Sequence, residues 1–470
     1  MRSDQLISTK GNQVIRFLFL GWLLTLPFGA KILSVSIGFM TIYPNLLFSL
    51  ALVPFAITTF RKWSLLNKLI AFFLIAWFLI AFVQLKMHGF NSSGLFDIRS
   101  LGMQCVFCMA LFSSYYQLGK EEFQRIIIIG LRSFLGLLLV FGVFEYYTGI
   151  HFSGATTAEF PSMVIGNNFY APLFIYDNPN DFLLYVLMVF VLLNLFDKSF
   201  RSNSLLGILV LVVLFVFAQN ADSKFARIAI GLLVMLELVS LVAHKRKNSS
   251  LQKVWPFIVT ACLFILLVAS NSLFYGPKYA NSKQYRLNAI EVLDIKGSQF
   301  ELTKVKDTLT KQEQFALMDY LDSLNTRSPE VAVNLRKNLI LNGIDMIKES
   351  PVLGIGPGEY HNRLIQGKHK HFIHNHVSPH NFPIEIISQF GIVGWFYLLF
   401  VLGLFLMIIK SLKEHLRNNP WIIALFAVLP IFWMMTSAYL YLDIHWMFLP
   451  IVVIFLDINS FKKANHVIEQ

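Results

Sequence analysis

The chain has 470 residues, 56% of them hydrophobic and only 14% charged, where an ordinary soluble protein carries roughly a quarter charged residues. That composition argues against a soluble domain and describes a protein solvated by lipid over most of its length. The formal charge of +12 needs no nucleic-acid partner, because basic residues collect on the cytoplasmic side of membrane proteins.

A spanning helix needs about 20 largely apolar residues, and about twelve stretches qualify on that criterion. In chain order they are 14–29, 32–59, 66–86, 99–117, 125–148, 181–196, 204–219, 225–243, 254–274, 383–409, 420–439 and 443–458. The first apolar run has no small-residue cleavage site in good context after it, so it is read as a membrane helix. The expected fold class is all-α, a polytopic membrane protein. It divides into helices over 1–274, a large loop over 275–382, and helices with a short tail over 383–470.

Cations in the connecting segments orient this array. Arg2, Lys10 and Arg16, then Arg61, Lys62 and Lys68, then Lys120 and Arg125 fall on one side. Lys198 and Arg201, the run His244 to Lys247, Lys410, Lys413 and Arg417, and finally Lys462 and Lys463 continue it. The alternate loops are poor in Lys and Arg, and 149–180 has none. The alternation predicts an even number of spans with both termini in the cytoplasm. It also puts 275–382 outside, a loop of roughly a hundred residues, far beyond an ordinary connection. Within it, 309–325 reads as a polar helix and Ala332–Glu349 as an amphipathic one ended by Ser350-Pro351.

Several residues could carry chemistry. Arg336 falls on the apolar face of 332–349, where a cation is expensive unless paired. It either snorkels or pairs internally, or it is aimed at a buried anion such as phosphate. Gly354, Gly356 and Gly358 stand at alternate positions and suit either a tight turn or a nest of amide donors. His369, His371, His374, His376 and His380 follow, with Asn381 adjacent. No cysteine or nearby acid completes a zinc set, so no metal site is expected. A neutral imidazole at the membrane surface can instead accept a proton from a sugar hydroxyl. Cys105 and Cys108 lack a second pair, so metal or redox chemistry there is not expected either. Arg99, Glu145, Asp181, Lys224, Arg227 and Asp443 cluster at outer helix ends, and ionisable groups there are functional suspects.

Together these residues resemble the O-antigen ligase and polymerase superfamily of bacterial membrane glycosyltransferases. The shared pattern is Arg336 on a helix, then Pro351-Val-Leu-Gly354-Ile-Gly356-Pro-Gly358, then His380-Asn381, then Gly391-Ile-Val-Gly394. Asp177-Asn178-Pro179-Asn180-Asp181 is similar to the family's Asn-rich approach to a membrane helix. The likeness is close over 336–395 and loose elsewhere. One departure stands out. Where the family often has Ser-Arg, this chain has Ser223-Lys224, with Arg227 one turn later, and Lys is a point charge without a bidentate fork.

The resemblance implies a GT-C-like transferase that takes a polyprenyl-diphosphate-linked glycan as donor and a sugar hydroxyl as acceptor. It implies His380 as base, with Arg336 and either Lys224 or Arg227 on the diphosphate. The glycines, Asn178, Asn180 and Asn381 would position the chain. No cofactor is implied. The partners are the two glycans, the bilayer and, alongside, a flippase and a chain-length regulator in the bacterial cytoplasmic membrane. The expected activity is polymerisation of repeat units for a surface polysaccharide, with a ligase to a lipid core as the alternative. A transporter or flippase is the rival of another class. It would show internal repeats and midplane charges, and neither is visible in the sequence.

Overall fold

A computed structural model describes residues 2–28, 35–37, 40–148, 172, 174, 176, 179–202, 204–221, 223–245, 329–371, 381–410, 421–434, 447 and 449–457. The predicted span 254–274, the polar helix 309–325, and most of 149–178 lie outside them. So do Asp443, Asn178 and His380.

The protein is an all-α polytopic membrane protein. Its helices are α1 (Arg2–Thr25), α2 (Pro44–Leu52), α3 (Pro54–Thr59), α4 (Leu65–His88), α5 (Ser92–Leu118), α6 (Lys120–Thr148), α7 (Pro179–Phe196) and α8 (Lys198–Ser202). Then come α9 (Ser204–Asn220), α10 (Lys224–Lys245), α11 (Pro329–Glu349), α12 (Glu359–Ile365), α13 (Phe382–Phe390), α14 (Ile392–Lys410) and α15 (Trp421–Phe432), and residues 449–457 are also helical. Local sequence sets many of the ends. Ser64 caps α4 by accepting the Asn67 amide at 3.2 Å, and Asn91 caps α5 by accepting the Gly94 amide at 2.6 Å. Gly119, at φ 76°, separates α5 from α6.

Six helical stretches among the described residues are long and apolar enough to span a bilayer: Pro44–Lys62, Leu65–His88, Ser92–Leu118, Lys120–Thr148, Pro179–Phe196 and Ile392–Ile409. Their burial differs in a telling way. Pro179–Phe196 is buried along almost its whole length, packed by α6, α9, α10 and α15. A helix apolar on every side belongs in such a core. Outer helices instead carry exposed apolar ribs, Leu69, Phe72 and Leu79 on α4 and Leu399, Leu402 and Leu406 on α14.

Two predicted spans are corrected. The stretch 32–59 is not one helix: Val35–Ile37 (β1) and Met40–Ile42 (β2) pair antiparallel, Val35 opposite Ile42. β-Branched Val35, Ile37, Thr41 and Ile42 favour strand, and helix begins only at Pro44, which is preset for a first turn. The stretch 383–409 is broken at Gly391. Its φ is 57°, and a Cβ there would lie 2.6 Å from Gly354 N, so only glycine fits and the chain re-enters helix as α14.

Candidate functional site

The amphipathic segment forms α11, starting three residues earlier than its periodicity predicted. It buries Leu339, Asn342, Gly343 and Met346. Gly343 lets α11 lie against α13, since a Cβ would strike the Ile384 side chain. Tyr360 on α12 donates its hydroxyl to the Leu339 carbonyl at 2.8 Å. Leu339, Met346, Ile355, Tyr360 and Leu364 make a small core of their own. α11, the glycine loop and α12 therefore form one packed unit seated on α13.

The glycine loop is a seam. Gly354, Gly356 and Gly358 all have positive φ, at 74°, 101° and 72°. The Ile355 and Gly356 amides donate to the Ser388 and Gln389 carbonyls at 2.8 and 3.0 Å. The Gly358 amide donates to Asp97 Oδ2 at 2.7 Å and to Gln389 Oε1. With Gly354 N bonded to the Ser350 carbonyl at 2.9 Å, these donors are used inside the protein. The tight-turn reading is the one the geometry matches, and the amides form no nest for an outside anion. The seam joins the first turn of α5 to the end of α13: Asn91 Nδ2 reaches Glu359 Oε1 at 3.0 Å, and Gln84 donates to the Leu353 carbonyl. Gly391 and Gly394 belong to the same seam, for a Cβ on Gly394 would lie 2.5 Å from the Ile386 carbonyl oxygen. Asn381 caps α13 by accepting the Ile384 amide at 3.2 Å.

Above this platform, Asn342 is 2% exposed and pairs with the His371 backbone in both directions. It donates to the His371 carbonyl at 2.8 Å and accepts the His371 amide at 2.9 Å. This fixes the backbone at His371, nine positions before His380 in the sequence. His369 Nδ1 meets the His371 carbonyl at 3.0 Å, and the His371 ring lies 3.5 Å from Asp345. Two of the five clustered histidines thus have structural contacts, while His374, His376 and His380 lie outside the described residues. Among the described residues no group of three His, Cys, Asp or Glu is placed to hold a metal.

Arg336 sits half-buried on the face of α11 that also carries Leu339 and Gly343. Its guanidinium carbon is 5.4 Å from the Phe225 ring centre, and among the described residues it has no carboxylate partner. Burial pushes its pKa below the ordinary arginine value, the direction expected for a desolvated cation. Phe225 is the second residue of α10, so the structure brings Arg336 to the helix end that bears Lys224 and Arg227. Arg227 leaves the helix on the opposite side from Phe225, being two residues on. It is 9% exposed and donates to Gln219 Oε1 at 3.0 Å and to the Ser223 carbonyl at 3.3 Å. That arrangement ties α9 to α10. Asn180 and Asp181 lie in the first turn of α7, where an acid complements the helix dipole. Glu145 accepts the Phe174 amide at 2.7 Å, and Arg99 lies over the rings of Tyr43 and Phe96.

Sequence reasoning missed Phe225, Asp97, Gln389 and Asn342. Asp97 left a signal, an ionisable residue at the start of an apolar helix, whereas Asn342 falls beside Asn338, Asp345 and Glu349 on the polar side of its helix, where periodicity predicts no burial. Among known families, residues 183–399 match the family model described as O-antigen ligase. A search of curated proteins gives no match.

Proposed function

We propose that this chain, whose residues 183–399 match the family model described as O-antigen ligase, is a membrane glycosyltransferase that polymerises polyprenyl-diphosphate-linked oligosaccharide repeats into a surface polysaccharide. The reaction takes place on the outer face of the bacterial cytoplasmic membrane. The observation that carries the reading is Arg336, a desolvated guanidinium without a carboxylate partner among the described residues, delivered to the first turn of α10.

His380 takes the proton from the acceptor hydroxyl, whose oxygen attacks the anomeric carbon of the donor. The bond from that carbon to the diphosphate oxygen breaks, and the diphosphate leaves with its electron pair. Arg336 stabilises the charge that develops there. Lys224, which opens α10 one residue before Phe225, is our choice for the second cation. Arg227 is committed to Gln219 and Ser223. Protein cations suffice for the diphosphate, so no metal is required. The Asn342 pairing and the Asn381 cap hold the chain on either side of His380. A polymerase must accommodate two lipid-linked glycans, and the polar 149–180 and 275–382 suit hydrogen bonding and ring stacking with sugars. A ligase to an anionic lipid core would want a strongly basic outer surface, whereas 149–180 has no Lys or Arg.

In cells, Arg336→Ala and His380→Ala should abolish glycan joining while the protein accumulates normally, and Arg336→Lys should be poor because the bidentate fork is lost. Normal product from either Ala variant defeats the assignment. A deletion strain separates the two reactions. Loss of a polymerase leaves single repeats on the normal acceptor, whereas loss of a ligase leaves full-length polymer on the polyprenyl carrier.

A further inference from the structure

A buried arginine is usually neutralised by a carboxylate. Among the described residues Arg336 has no such partner and faces the ring of Phe225 at 5.4 Å. The two contacts have different consequences for an incoming anion. A carboxylate would cancel the charge and occupy the fork of donors. An aromatic face attracts the cation through its quadrupole and takes up none of the five N–H groups. The guanidinium is thus oriented while its charge and its in-plane donors stay available. The contact also bridges two parts of the chain, since Phe225 lies in the first turn of α10 and Arg336 lies on α11.

We propose that Phe225 is a positioning residue. It holds the Arg336 guanidinium, still fully charged, at the first turn of α10, where it receives a prenyl diphosphate. The inference rests on the diphosphate role proposed above for Arg336. Leu at 225 keeps apolar bulk but removes the aromatic face, and Trp keeps and strengthens it.

The test uses the full chain purified in detergent and farnesyl diphosphate as the probe, with affinity read by isothermal titration. Phe225→Leu should weaken binding by roughly 3- to 30-fold, the range expected for a partly desolvated cation–π contact. Phe225→Trp should bind as the native chain does, which a purely structural role for the smaller ring would not allow. In an Arg336→Gln background, Phe225→Leu should add little, because the two act as a unit. Native affinity in Phe225→Leu overturns the proposal, as does an equal loss in the Trp variant or full additivity with Arg336→Gln. Native affinity in Arg336→Gln would instead defeat the diphosphate role of that arginine. If Arg336→Gln weakens binding and Phe225→Leu does not, only the positioning role of Phe225 falls.

Discussion

Gly358→Ala tests the seam that carries the candidate site. At φ 72° an alanine pays a left-handed backbone cost of roughly 1–2 kcal/mol. The new Cβ would also sit 2.7 Å from Gly94 Cα and closer still to Gly94 N. These are backbone atoms of α5 and cannot swing aside as a side chain would. Relieving such overpacking costs typically about 1–3 kcal/mol. Any shift that does so strains the Gly358 amide bonds to Asp97 and Gln389, and a bond to a charged group contributes about 1.5–3 kcal/mol. The expected loss is therefore about 3.5–8 kcal/mol, much of the stability of an ordinary fold. Gly367→Ala is the control: its φ is 69°, but nothing lies within 4 Å of its Cβ, so only the backbone cost of about 1–2 kcal/mol remains. Thermal unfolding of the two purified variants in detergent, read by a buried-cysteine dye, compares them directly. If Gly358→Ala and Gly367→Ala lower the midpoint equally, the close approach of the loop to α5 is wrong.

Asn342→Leu should lose both bonds to the His371 backbone and leave that part-buried N–H and C=O seeking partners, at about 1–3 kcal/mol. Proteolysis should cut near His371 faster in that variant, and unchanged cleavage would count against the pairing. Glycan joining by the purified enzyme should survive EDTA, and a loss restored by zinc, magnesium or manganese would overturn metal independence. A cysteine at Asn325 should react with a membrane-impermeant thiol reagent on intact spheroplasts while one at Ser249 is protected. The reverse pattern would invert the topology and with it the mechanism.

Much of this protein was legible along the chain. Membrane helices declare themselves because each must bury its own backbone hydrogen bonds within one apolar stretch, so α4 and α7 fall within two residues of their predicted bounds, while α5 and α6 begin seven and five residues earlier than their apolar runs. Asn91, Ser64 and Asn381 are caps whose partners lie three residues away, and such local bonds need no tertiary information. Arg336 stood out by periodicity alone. What the tertiary structure decided depends on groups far apart in sequence. The glycine spacing was equally compatible with a turn or an anion nest. The choice fell to Asp97, Ser388 and Gln389, whose oxygens take the amide donors. The break at Gly391 depends on how closely Val352 and Gly354 approach it. Phe225 gave no sequence signal, since one phenylalanine among 46 differs from the others only in what it faces. Hydrophobic period and capping are written into neighbouring residues, whereas the partner of a buried cation or amide is set only when distant helices pack.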